Sequence, residues 1–258
     1  MPRFSANISM LFTEVDMLDR FDAAAQAGFK GVEIQFPYAW DKDQLAERAH
    51  RAGVEVVLCN LPAGDPEKGD RGIACVPARM SEFRDGVAKG REYARALGCK
   101  RLNCLAGLPP ALGERVVRQT FLSNLRYAAE ELAADGSTLM MEAINTRSVP
   151  RFYLRNSGQV FSLIGECGVQ NLKMQFDVFH MQIMEGDLAT TIAANIASIG
   201  HFQVADVPDR HEPGTGEVNF PFLFSLIDKL GYDGWIGAEY VPSAKTADSL
   251  AWMQPYRG

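Results

Sequence analysis

The chain has 258 residues and a formal net charge of -6, with 47% hydrophobic and 22% charged residues. This composition excludes a disordered chain and a coiled coil, and the acidic balance argues against a nucleic-acid binder, which needs a basic face to displace counterions. No apolar run reaches the roughly 18 residues of a membrane span, and the opening MPRFSANISMLFTEVD lacks a signal-peptide core, so a cytoplasmic protein is expected.

In chain order, short β-rich runs alternate with longer amphipathic stretches. The predicted strands are RFSANI from Arg3, GVEIQF from Gly31, VEVVLC from Val54 and KRLNCL from Lys100. They continue with TLMMEA from Thr138, LKMQFD from Leu172, HFQVAD from His201 and WIGAEY from Trp235. Each is rich in β-branched, aromatic or large apolar residues and set off by Gly or polar residues. The stretches between them carry helical spacing, as in EVDMLDRFDAAAQAGF and ERVVRQTFLSNLRYAAEELAADG. Most end in Gly just before the next strand, a residue suited to closing a helix.

Eight strands with seven intervening helices predict an α/β protein with a parallel sheet and right-handed crossovers. A doubly wound open sheet would want a glycine fingerprint after its first strand, and NISMLFTE has no glycine. The expectation is one (β/α)₈ barrel domain over residues 1–258, with no Pro/Gly/Ser-rich linker dividing it. Two long insertions, LPAGDPEKGDRGIACVPARM and NTRSVPRFYLRNSG, follow strands 3 and 5, on the side where barrel active sites form.

Polar residues at the C-terminal ends of barrel strands share one mouth. Glu142, Asp177, Gln203 and Glu239 occupy such positions. Three converging carboxylates repel one another, and a divalent cation removes that penalty. With an amide oxygen they form a hard-oxygen set suited to Mg²⁺ or Mn²⁺. Each acid alone also reads as a strand end or a helix cap. His180, in the loop just past Asp177, is expected to donate to a substrate oxygen. His201, at the start of its strand, reads as structural and His50 as solvated. Arg210 can offer a bidentate fork to a carboxylate, with Arg71 as a second clamp. Asn7 and Asn60 end strands 1 and 3 and can donate into the mouth. The five scattered cysteines form no C-x-x-C pair and read as buried thiols of a reducing compartment.

RFSANISMLFTE, NLPAGD, RGIAC, EFRDGVA, NLRYAAE, EAIN, NLKMQFDVFHMQIMEGDL, HFQVAD, HEPGTGEVNF, GYDGWIGAEY and the terminal WMQPYRG carry a resemblance from end to end. The chain resembles the bacterial hydroxypyruvate isomerases, within the sugar-isomerase and epimerase class of TIM barrels. The resemblance implies metal ligation at Glu142, Asp177, Gln203 and Glu239, acid/base roles for Glu142 and Glu239, and substrate contacts from His180 and Arg210. It departs in having Gln203 where many relatives carry His, and Val241 where the family often has Lys. The implied reaction interconverts hydroxypyruvate and tartronate semialdehyde through an enediolate, with a small acid as the partner. Barrels of this type also often associate as homo-oligomers. An isomerase of four-carbon 2-oxo acids, or a ketose 3-epimerase, would use the same site. A DNA-repair endonuclease would need more His and acidic ligands than this chain's four histidines suggest. A binding protein for sugar acids would hold the substrate and move no proton.

Overall fold

The computed structural model describes residues 1–256, so the last two residues of the WMQPYRG motif lie outside the described residues. Among the described residues, eight parallel strands close into a barrel in chain order. They are β1 (Arg3–Asn7), β2 (Gly31–Ile34), β3 (Glu55–Asn60), β4 (Arg101–Cys104), β5 (Thr138–Glu142), β6 (Leu172–Asp177), β7 (Ile199–Val204) and β8 (Trp235–Ala238). Closure comes from β1 pairing with β8, with Arg3 opposite Trp235 and Ala6 opposite Ala238. The predicted parallel α/β barrel is therefore the observed one.

The connecting helices are α1 (Arg20–Gln26), α2 (Lys42–Ala52), α3 (Met80–Leu97), α4 (Glu114–Ala133), α5 (Ser157–Cys167), α6 (Val178–Met184), α7 (Leu188–Asn195) and α8 (Phe220–Lys229). The expected glycine stops are real at the ends of α2, α3 and α5, where Gly53, Gly98 and Gly168 have φ of 66°, 66° and 69°. A 3₁₀ segment, Thr246–Tyr256, closes the chain, and its Trp252 lies edge-on to Phe4 of β1. No described helix is long and apolar enough to cross a membrane.

Two features differ from the sequence reading. DVFHM is not a loop: Val178 begins α6 directly after β6, and the Asp177 side chain caps it by accepting from the Phe179 and His180 amides. His201 sits inside β7 rather than at its start, because the strand begins at Ile199.

Side chains alternate across each strand. One face of the strands, with Phe4, Val32, Leu102, Met141, Phe176, Phe202 and Ile236, joins the main apolar core with the helices. Met140 and Trp235 belong to a separate small cluster with Val57 and Leu58. They share their strand faces with Glu142 and Glu239, two and four residues further along, so this alternate face turns from apolar to polar toward the strands' C-terminal ends.

Candidate active site

The polar face begins one layer below the mouth. Glu33 of β2 is buried. Its Oε1 accepts from Ser5 Oγ at 2.7 Å and lies 2.8 Å from His201 Nε2. Its Oε2 accepts from Gln203 Nε2 at 2.8 Å and from Asn7 Nδ2 at 3.4 Å. Room for this carboxylate exists because Gly237 stands opposite, where a Cβ would overlap it.

Above it stands Glu239, directly after β8. Its Oε2 accepts from Asn7 Nδ2 at 2.8 Å and also from the Gln203 amide, while its Oε1 takes Arg210 Nη2 at 2.7 Å. Glu142 ends β5 and accepts from Asn103 Nδ2 at 2.9 Å. Asp177 divides its labour: Oδ1 caps α6, while Oδ2 faces His180 Nε2 at 3.4 Å and Arg210 Nη2 at 3.5 Å. His180 Nε2 also faces Glu142 Oε1, at 3.7 Å. On the other side of its ring, His180 Nδ1 lies 2.6 Å from Asn145 Nδ2.

Among the described residues, Arg210 is the one cation joined to these carboxylates. Its guanidinium lies 5.1 Å from the centre of the Phe179 ring, and its Nε is buried with no hydrogen-bond partner among the described residues. Its backbone has φ of 61°, an uncommon value for a non-glycine residue. Asp206 holds this loop. Its carboxylate accepts from the backbone amides of Val207, Gly214, Gly216 and Val218, and its carbonyl accepts from the Arg210 amide at 3.0 Å.

Burial sets the charge states. Glu142 is pushed up to about 8 by desolvation, with Asp177 adding repulsion and Arg210 opposing. Desolvation likewise raises Glu239 well above the usual carboxylate range, although Arg210 pulls it down. His180 is driven down to about 4 by burial against the pull of Asp177, so its imidazole is neutral. Desolvation works against the Arg210 charge, but Glu239 and Asp177 outweigh it and the guanidinium is held ionised.

Among the described residues, Glu142, Asp177 and His180 form the one group of acidic, His and Cys side chains whose ligand atoms lie within 4.8 Å of one another. The donor set fits a hard cation: carboxylates that burial penalises gain most from a positive charge beside them. Gln203 currently presents its amide nitrogen to the carboxylates and its oxygen to Gln175 Nε2, at 2.6 Å. A half-turn of the amide exchanges the two atoms and would offer the oxygen, the atom a cation takes.

The structure thus gathers Glu142, Asp177, Gln203, Glu239, His180, Arg210 and Asn7. It does not gather Arg71. That side chain is exposed and turned onto its own loop, donating to the Asp70 carbonyl at 2.7 Å. Asn60 is buried at the end of β3, where its backbone is engaged: the carbonyl accepts from Tyr38 Oη at 2.6 Å and the amide donates to the Gln35 carbonyl at 2.9 Å. The sequence reading missed Glu33, Asn103, Asn145, Gln175 and Asp206. Of these, Gln175 carries a usable signal, since it lies two residues before Asp177 on β6 and so shares its strand face.

Residues 21–256 match the family model described as xylose isomerase-like TIM barrel. The chain belongs to the xylose isomerase-like TIM-barrel family. Within that family it is 50% identical to the hydroxypyruvate isomerase of Escherichia coli (strain K12), over 100% of both chains. It is 46% identical, again over 100% of both, to the 2-oxo-tetronate isomerase of Cupriavidus necator. A crystal structure from Brucella melitensis, described as an AP endonuclease of family 2, superposes with a TM-score of 0.98 at 43% identity, covering 100% of each chain. At lower identity the fold is shared with the 3-keto-D-glucoside 4-epimerase of Escherichia coli, with a TM-score of 0.76, 21% identity and 99% of each chain covered.

Proposed function

We propose that this chain is an isomerase that interconverts hydroxypyruvate and tartronate semialdehyde by proton transfer through an enediolate. The observation that carries the reading is the full-length 50% identity to a hydroxypyruvate isomerase. The site chemistry supports it. Glu142 and Glu239 come from strands separated by β6 and β7, so they can address a small substrate from different sides. One takes the proton from the carbon bearing the hydroxyl and the other returns a proton to the neighbouring carbon, while the hydroxyl proton passes to the former carbonyl oxygen, so the hydroxyl becomes the aldehyde and the ketone becomes the new hydroxyl. Their raised proton affinities suit groups that must both accept and release a proton near neutral pH. The Arg210 Nε–H and the guanidinium's remaining donors can take the substrate carboxylate, and the neutral His180 can donate to a substrate oxygen.

Glu142, Asp177, Glu239 and the turned Gln203 would hold a divalent cation, Mg²⁺ or Mn²⁺. When bound, it supplies positive charge that stabilises an enediolate. Asn7 and Gln203 hold Glu239 in place from below, and Asp206 holds the loop that delivers Arg210. The same reading places the enzyme in the cytoplasm, in keeping with five buried cysteines free of disulfides.

The endonuclease description of the Brucella structure finds little support in this chain's own chemistry. The net charge is -6, and the described residues bring together a single His and acid group able to hold an ion. Proton NMR of hydroxypyruvate in D₂O, with and without a chelator, tests the proposal. The expected result is exchange at carbon 3 and appearance of the aldehyde, both lost with the chelator. Parallel kcat/KM values on hydroxypyruvate and a four-carbon 2-oxo acid decide the substrate length, and a larger value for the longer acid would make this chain a 2-oxo-tetronate isomerase instead.

A further inference from the structure

Two hydrogen bonds determine which nitrogen of His180 carries its proton. Asn145 is fully buried three residues beyond Glu142, just as His180 stands three residues beyond Asp177. Asn145 Oδ1 accepts from the Ser148 backbone amide at 2.7 Å. A backbone N–H can only donate, so this bond identifies the side-chain oxygen and leaves Nδ2 as the atom 2.6 Å from His180 Nδ1. An amide nitrogen donates and does not accept. His180 Nδ1 must therefore bear the lone pair. An imidazolium, or the Nδ1–H tautomer, would set N–H against N–H at 2.6 Å, too close for a water to stand between them. The single ring proton consequently lies on Nε2, the nitrogen that faces Asp177 Oδ2 at 3.4 Å and Glu142 Oε1 at 3.7 Å.

We propose that Asn145 is a positioning residue that locks His180 in its Nε2–H form, so that His180 meets the substrate as a hydrogen-bond donor and serves neither as a base nor as a cation ligand. A nitrogen that carries a proton has no lone pair for a metal. Of the three groups that converge, two carboxylates are left to hold a cation, and the imidazole stands beside them with its N–H pointing inward. A neutral donor of this kind follows the charge that develops on a carbonyl oxygen during enolisation without having to give up its proton. The word substrate here rests on the isomerase reading; the tautomer does not.

The test is long-range ¹H–¹⁵N NMR of the full-length protein labelled with ¹⁵N-histidine, at neutral pH. The His180→Gln variant assigns the signal. The expected spectrum is a pure Nε2–H imidazole for His180, unchanged by saturating Mg²⁺. Asn145→Asp is nearly isosteric, keeps an acceptor for Ser148 and replaces the donor facing Nδ1 with an acceptor. It should convert His180 to the Nδ1–H form or to the imidazolium and lower kcat for hydroxypyruvate by about 10²-fold, with a smaller change in KM. Asn145→Gln, which retains a donor, should recover part of that loss. An Nδ1–H or doubly protonated His180 in the wild type would overturn the proposal, and so would a Mg²⁺-induced shift of Nε2 to a ligated nitrogen. Wild-type kcat in an Asn145→Asp protein whose tautomer has changed would overturn the donor role. If the wild-type protein shows the Nε2–H signal but turns over no hydroxypyruvate, the lock stands and the isomerase reading falls.

Discussion

Two clusters of acids and arginines in this barrel have opposite electrostatics. On the outside, Arg91 and Arg95 of α3 reach Asp135, which follows α4, at 2.7 Å each, and Arg91 also meets Glu131. Two guanidiniums serve one aspartate there, with Arg91 the larger influence, and its carboxyl is held down to about 2. In the mouth, among the described residues, one guanidinium serves Glu239 and Asp177, Glu142 has none bonded to it, and burial pushes Glu142 up to about 8. The outer cluster is neutralised and ties two helices together. The mouth cluster is short of positive charge, a condition that folding does not favour and that a cation and an acid–base reaction can use.

The contrast is sharpest when the mouth acids lose their charge. Glu142→Gln or Glu239→Gln should reduce turnover of hydroxypyruvate by about 10²–10⁴-fold. The Tm of the Glu142 variant, measured without added metal, should be unchanged or higher, because a carboxylate that burial penalises has been removed, whereas Glu239→Gln also weakens the Arg210 pair and should lower Tm. A large fall in Tm for Glu142→Gln would instead assign that acid a structural role.

Removing the one cation comes next. Arg210→Ala should lower kcat/KM by about 10²-fold, mostly through KM, as expected for losing one partner of a buried charge pair that also meets the substrate carboxylate. Steady-state kinetics with hydroxypyruvate decides this, and an unchanged KM would move the clamp elsewhere. Below the mouth, Glu33→Gln should cost about 10- to 100-fold in Mg²⁺ affinity or in activity, since it removes an acceptor that orients Gln203 and Asn7 beneath Glu239. Isothermal titration with Mg²⁺ and kcat together read it, and wild-type values in both would make Glu33 a packing residue only.

The smallest effect belongs to the outer cluster. Asp135→Asn should leave activity unchanged and cost less than about 1 kcal/mol of stability, since solvent screens ion pairs near the surface. The sign follows from a folded carboxyl held below its unfolded value. Its contribution is present above pH ~4 and is lost as the pH falls toward about 2. Urea unfolding of wild type and variant at neutral pH and at pH ~3 should show the difference shrinking with acidity.

Much of this contrast was legible in the sequence, and the reasons differ by element. The eight strands show through their apolar and β-branched residues, and the strand-end rule finds Glu142, Asp177, Gln203 and Glu239 because a barrel directs all strand ends to one mouth. Glu33 and His201 escaped that rule because they sit one layer deeper, in mid-strand. Their pairing spans 168 residues and only barrel closure brings it about. α6 was invisible because it begins at the residue directly after the end of β6, so Asp177 serves as strand end, helix cap and mouth carboxylate at once. Arg71 has the right chemistry and a suitable loop, but its guanidinium satisfies local carbonyls instead of the mouth. Loop side chains have no periodicity from which to read their direction.

The central claim is that the charge-poor mouth moves a proton on hydroxypyruvate through two carboxylates. The most direct measurement follows carbon-3 hydrogens of hydroxypyruvate by proton NMR in D₂O with wild type, Glu142→Gln and Glu239→Gln side by side. The account predicts exchange and isomerisation with the wild type and loss of isomerisation in both variants. Wild-type isomerisation by either variant would contradict it.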